Sequence, residues 1–186
     1  MANIPIPAGL DTKLCVLGDQ VLAEIPSVLK QVWPDGRPIV IADGNTWAAA
    51  GREVQELLEM ADLQPAPPHI FPAQPMLHAD YVHVGELVPV LTGRTPVAVG
   101  AGTINDLVKR ASVEAKTPGY LCVATAPSVD GYTSYGAALT VNGVKKTVPC
   151  PAPMAILADN RVIGSAPLPM IAGGYADLAA KIVAGA

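Results

Sequence analysis

The sequence is short of charge, of aromatic side chains and of cysteine, and each shortage excludes something. Charged residues make up 15% of the 186 positions and aromatics 4%. So low a charge fraction leaves little polar surface to cover a domain of this size. A large face is therefore expected to be covered by a partner subunit, as in a homo-oligomer, or by another domain. Basic residues number 12 against 16 acidic ones, a net charge of −4 without a basic cluster. That balance argues against nucleic acid as the main partner. The three cysteines, Cys15, Cys122 and Cys150, are widely spaced and sit in apolar stretches. They read as small core residues in a reducing cytoplasm, not as a disulfide or zinc framework. No apolar run reaches the ~18 residues of a transmembrane helix, so no membrane partner is expected. The opening Met-Ala-Asn-Ile-Pro has no basic region followed by an apolar core, so a secretory leader is not expected either.

What is abundant is aliphatic. Hydrophobic residues make up 51% of the chain, and Ala, Val, Leu and Ile supply most of that mass. This suits a parallel sheet buried on both faces. The length fits one large domain or one and a half small ones.

The chain is organised around Pro96-Val-Ala-Val-Gly-Ala-Gly-Thr-Ile-Asn-Asp106. Four apolar residues, two of them β-branched, run into glycines, then into Ile104, Leu107 and Val108 at helical spacing. That is a buried strand, a tight turn and a helix start. Gly100 and Gly102 carry no Cβ, so an anion can approach the backbone closely. The helix opening behind them offers unpaired N–H groups and a positive dipole end, which suit a phosphate or pyrophosphate. The alternative is a tight strand-to-helix turn with no ligand, because a short glycine pattern is a weak signal alone.

The rest alternates strand and helix. A strand is expected over 12–18, then a helix over 21–32 in which Pro26 marks a late start or a kink. Pro38–Asp43 reads as a buried strand ending in a carboxylate, with Asn45 or Thr46 capping a helix that runs to about Asp62. An acidic residue at such a strand end can bind a ribose hydroxyl pair; Asp43 can equally be a plain turn residue. A short proline-limited strand surrounds His69-Ile-Phe71. A helix over 78–92 is expected to turn Val82, Leu87, Val90 and Leu91 inward. The glycine turn leads into a helix from Ile104 to about Lys116, and Tyr120–Ala124 is the next strand. Asn142-Gly143 between 137–141 and 144–148 is a strong hairpin signal. One more strand, Met154–Asp159, and an apolar helix over 167–186 complete the chain. The spacing of about 25 to 30 residues per strand–helix unit gives an α/β fold: a parallel sheet with helices on both faces plus a hairpin.

Two constellations stand out. The polar loop Thr125-Ala-Pro-Ser-Val-Asp-Gly-Tyr-Thr-Ser134 leaves the carboxyl end of a strand, where open α/β sheets bind ligands. It offers Thr125, Ser128, Asp130 and Ser134; the alternative is a surface loop capped by its own side chains. Asp177 is the only charge between Arg161 and Lys181. It reads either as a first-turn acid favoured by the helix dipole or as one oxygen ligand of a divalent metal. The histidines His69, His78 and His83 all precede the glycine turn, none at ligand spacing from Asp177.

Three segments, Val99–Lys109, Thr125–Ser134 and Ala172–Lys181, together resemble one family, the sn-glycerol-1-phosphate dehydrogenases. These belong with the iron-containing alcohol dehydrogenases, glycerol dehydrogenase and 3-dehydroquinate synthase. The resemblance implies a Rossmann-like nucleotide-binding domain over 1–165, with 166–186 beginning a helical domain that carries further metal ligands. It implies that Gly100, Ala101, Gly102, Thr103 and Ile104, with Asn105 and Asp106 behind them, hold the pyrophosphate of NAD or NADP. Thr125, Ala126, Pro127, Ser128 and Ser134 would line the nicotinamide half. Asp130 would contact substrate, and Asp177 would touch substrate and bind zinc or another divalent metal. Asp43 would lie near the adenosine ribose and favour NAD, because a carboxylate repels a 2′-phosphate. The implied reaction interconverts dihydroxyacetone phosphate and sn-glycerol 1-phosphate, with these 186 residues inactive alone. Glycerol dehydrogenase, a 3-dehydroquinate synthase-like enzyme and a non-catalytic nucleotide-binding module are the alternatives.

Overall fold

The computed structural model describes residues 2–185. A seven-stranded sheet forms the centre, built from β1 (Ala2–Asn3), β2 (Leu14–Gly18), β3 (Pro38–Asp43), β4 (His69–Phe71), β5 (Thr95–Gly100), β6 (Leu121–Ala124) and β9 (Ala155–Asp159). The spatial order is β1-β2-β9-β6-β5-β3-β4, and every pairing except β1 with β2 is parallel. The hairpin β7 (Ala137–Val141) and β8 (Val144–Val148) stands apart, its turn made by Asn142 and Gly143 with φ of 52° and 77°. Positive φ at both turn residues matches the twist of the paired strands, which is why Asn-Gly specifies a hairpin.

Alternate side chains along each central strand feed two cores. Val40, Ala42, Val97, Val99, Leu121, Val123, Ala155 and Leu157 face one side. There they meet a 3-10 turn (Val21–Glu24), α1 (Ile25–Val32) and α3 (Arg52–Met60). Ile39, Ile41, Ala98, Cys122 and Ile156 face the other side, against α4 (Tyr81–Leu91), α5 (Gly102–Glu114) and the hairpin. Burial on both faces is the reason the strands read as continuous apolar runs.

Several expected boundaries move, each for a physical reason. The helix expected over 21–32 splits at Pro26, which has no N–H to donate and sits in the first turn of α1. The helix after β3 opens at α2 (Gly44–Thr46), passes through a π-helical turn (Trp47–Gly51) and continues as α3. Its cap is Asp43, not Asn45 or Thr46: the carboxylate accepts the N–H groups of Asn45 and Thr46, and the Thr46 hydroxyl accepts the Asp43 N–H. In α4 the buried residues are Val84, Leu87 and Leu91, while Val82 is 65% exposed and Val90 only half-buried. Helix α5 starts at Gly102, two residues before Ile104. The sequence reading does not foresee α6 (Asn160–Gly164) after β9. The last helix, α7 (Leu168–Ala184), forms as expected but buries none of its residues. Leu168, Tyr175, Leu178, Ile182 and Val183 on it are each more than 60% exposed, which is the uncovered apolar face that composition anticipates. No helix of the described residues is long and apolar enough to cross a membrane, and all three cysteines are unpaired.

Candidate active site at the carboxyl edge

Because β2, β3, β4, β5, β6 and β9 run parallel, their carboxyl ends share one edge. From β3 the chain moves outward to β4, then returns to lay β5 on the other side of β3. The connections therefore diverge between β3 and β5, and such a switch point opens a crevice at the carboxyl edge. Asp43 ends β3 and Gly100 ends β5, so both sit at that crevice.

Three helices start directly at this edge. Two begin on a carboxylate: Asp43 caps α2, and Asp159 caps α6 while also accepting the Leu22 N–H. Burial pushes the Asp159 carboxyl up, but the N–H groups of Leu22 and Arg161 and the Arg161 guanidinium outweigh it and hold the carboxyl below its usual range. The third helix, α5, is capped by Ala101, which has no side-chain acceptor. Among the described residues the N–H groups of Gly102, Thr103 and Ile104 find no acceptor, and the first bond is Asn105 N to Ala101 O at 3.1 Å. Where its neighbours carry a built-in anion, α5 leaves the place open.

The glycines are needed for packing as well. A Cβ on Gly100 would lie 2.5 Å from Ile104 Cβ, and one on Gly102 would lie 3.3 Å from Val129. The turn packs directly on its own helix and on the polar loop. Thr125 N donates to Gly100 O at 3.2 Å, placing the start of that loop beside the turn. Gly102, Asn105, Asp106, Asp130, Gly131 and Ser134 line a cleft of about 210 Å³ between them.

The loop is held in place from two directions. From α5, Asn105 Nδ2 donates to Tyr132 O, Lys109 Nζ donates to Ser134 O and Gly136 O, and Asp106 accepts the Ala138 N–H. The Tyr132 hydroxyl closes the loop on Ala126 O at 2.6 Å, and the Ser134 hydroxyl turns back to Gly131 O. From α7, Gly174 packs so tightly that a Cβ there would fall 1.6 Å from Pro127 O. One turn further, Asp177 accepts the Asp130 N–H at 3.0 Å, and Lys181 reaches Asp130 at 3.3 Å.

The fold thus brings together Gly100 to Ile104, Thr125 to Asp130, Ser134 and Asp177, with Asp43 across the crevice. Ile104 buries its side chain and can offer only backbone. Asp106 lines the cleft, but its carboxylate is engaged with Ala138 and lies 3.9 Å from Lys109. Burial raises its pKa and Lys109 opposes that. Among the described residues no three His, Cys, Asp or Glu side chains converge as a metal set. Lys109, Tyr132 and Gly174 escape the sequence reading. A lysine on a helix looks solvated, and only the alternation of loop contacts at 132, 134, 136 and 138 shows otherwise.

Known proteins share the family and the fold of this chain. A family profile described as iron-containing alcohol dehydrogenase matches residues 16–167. The chain is 38% identical over 149 residues to a glycerol-1-phosphate dehydrogenase [NAD(P)+] of Geobacillus thermodenitrificans, covering 77% of this chain and 36% of that protein. It is 40% identical over 146 residues to the protein of the same name from Halalkalibacterium halodurans, covering 76% and 36%. The chain thus spans little more than a third of the length of these curated relatives. Its fold matches a glycerol dehydrogenase structure from Schizosaccharomyces pombe with a TM-score of 0.72 at 20% identity, over 95% of this chain and 44% of the other. An NADH-dependent butanol dehydrogenase structure from Thermotoga maritima gives 0.72 at 18%, over 93% and 48%. The chain belongs to the iron-containing alcohol dehydrogenase family.

Proposed function

We propose that this chain is the nucleotide-binding part of an NAD(P)-dependent dehydrogenase that interconverts dihydroxyacetone phosphate and sn-glycerol 1-phosphate. The observation that carries it is the open end of α5 at the β3–β5 switch point, next to a loop that presents Asp130. The similarity to glycerol-1-phosphate dehydrogenases supports the substrate. In this reading the cofactor diphosphate lies on the N–H groups of Gly102, Thr103 and Ile104, where Gly100 and Ala101 leave room. Thr125, Ala126, Pro127, Ser128 and Ser134 line the nicotinamide half, with Asp106 behind as a support. The cofactor supplies the hydride, and this chain binds and orients it.

Asp130 and Asp177 face the substrate. Asp177 has one carboxylate oxygen committed to Asp130 N, which leaves the other to serve as a single ligand for zinc or another divalent metal. A metal bound there would act as a Lewis acid on the substrate oxygen. The other donors would come from outside these residues. The domain boundary falls near 165: residues 1–165 form the nucleotide-binding domain, and α7 begins a second one whose packing covers its apolar face. Pairing into homo-oligomers and a cytoplasmic location belong to the same reading. The 186 residues alone bind cofactor weakly and turn nothing over.

Asp43 sets the cofactor preference. Its Oδ1 caps α2, and Oδ2 has no partner among the described residues, which in this reading leaves that carboxylate oxygen for the ribose. NADH is expected to bind at least about tenfold more tightly than NADPH, a difference of roughly 1.4 kcal/mol. Asp43→Asn keeps the cap, since Asn and Asp cap equally well, and is expected to narrow the gap. Titration of intrinsic NADH and NADPH fluorescence decides this. No binding up to millimolar cofactor rejects the reading, and equal binding of the two cofactors by the wild-type chain rejects the role of Asp43.

A further inference from the structure

Lys109 is almost wholly buried, at 1% exposure, on the second turn of α5 below Gly102. Burying an ammonium is costly unless it is fully hydrogen-bonded. Its donors go to Ser134 O and Gly136 O, both at 3.0 Å, with Asp106 Oδ1 3.9 Å away as counter-charge. The same Asp106 accepts the Ala138 N–H through its other oxygen, and Asn105 holds Tyr132 O. Asn105 is itself anchored by the Tyr120 hydroxyl at 2.8 Å. Positions 105, 106 and 109 share one helical face with Gly102. The helix whose first turn is open to an anion therefore also grips residues 132–138. That segment is joined to Asp130 through Gly131.

We infer that Lys109 is a positioning residue: its buried ammonium fixes the 131–136 segment, and so holds Asp130 at a set distance from the open end of α5. The inference rests on the functional reading above for its purpose, but its geometry can be tested without cofactor. Two loop carbonyls point at one charged group, so removing that group leaves both unsatisfied and the segment free to move. Lys109 does not reach the first turn of α5, so the anion seat itself is untouched.

The test is ¹⁵N relaxation on the wild-type chain and on Lys109→Met and Lys109→Arg. In the wild type, order parameters across 131–136 are expected near the rigid-backbone value of about 0.85. Lys109→Met is expected to lower them to about 0.6 or below, while β5, β6 and α5 keep theirs. Lys109→Arg, which keeps the charge and the donors, is expected to restore most of the order. A role confined to overall stability would lower Tm without this local change. Unchanged order parameters in a folded Lys109→Met chain overturn the inference. So does a wild-type segment already at about 0.6, a result that needs no variant to fold. Absence of NADH binding by the wild type overturns the functional reading instead and leaves this result to stand separately.

Discussion

Gly100→Ala is expected to lower NADH affinity by at least about tenfold and to destabilise the chain by about 1–3 kcal/mol. The new Cβ would stand 2.5 Å from Ile104 Cβ and 2.7 Å from its Cγ1. Ile104 is buried and cannot swing away, so strand β5 and the first turn of α5 must separate. Overpacking of this kind costs stability, and here it also displaces the N–H groups that receive the diphosphate. A loss of that size shifts Tm by roughly 2–4 °C for each kcal/mol. Gly85→Ala is the control, because a Cβ there meets nothing within 4 Å. On an exposed helical site it should be neutral or add up to about 1 kcal/mol. Thermal unfolding and NADH titration of the two variants separate a site effect from a general one. Wild-type affinity in Gly100→Ala would show that the turn is no ligand seat.

Gly174→Ala is expected to detach α7. Its Cβ would overlap Pro127 O at 1.6 Å, a backbone atom that cannot rotate aside. Helix α7 buries no residue of its own, so little else retains it. Helical stability in proteins comes mostly from tertiary packing, and α7 carries two glycines that weaken it on its own. Amide exchange over 168–184 should accelerate by at least about tenfold, with Tm changed by a few degrees at most. The Asp177–Asp130 and Lys181–Asp130 contacts are lost with it, and the two carboxylates no longer share a site. Gly173→Ala, one residue away with nothing within 4 Å, should instead strengthen the helix by about 1 kcal/mol. Equal behaviour of the two variants would contradict the packing described for α7.

These two glycines also show what a sequence can reveal. Gly100 stands where an apolar run meets a helical period, so the need for a missing Cβ is visible locally. Gly174 lies inside a helix, and its purpose depends on a carbonyl 47 positions earlier in the chain. The strands β3, β5, β6 and β9 were legible because burial on both faces leaves them uninterrupted, and Asn142-Gly143 because the turn demands positive φ. Helix α4 was legible as a helix but not by its face. Val82, Val84, Leu87, Val88, Val90 and Leu91 surround it, and only packing on α5 and β7 selects Val84, Leu87 and Leu91. Asp43 was singled out as a ligand residue while neighbouring Asn45 and Thr46 were expected to cap; the helix already opens at Gly44, so Asp43 itself is the cap. At the site, the glycine turn and Asp177 stood out by local chemistry. Lys109 did not, because its partners come from a loop that returns across α5 only after β6.

The claim on which the account depends is that a dinucleotide crosses the carboxyl edge with its diphosphate on the first turn of α5. An amide-resolved ¹H–¹⁵N titration with NADH tests it most directly. The largest shifts are expected at Gly102, Thr103 and Ile104, with smaller ones through 125–130 and at Asp43. Shifts confined to the amino edge around Trp33, Arg37 and Arg94, or none at saturating NADH, would contradict it.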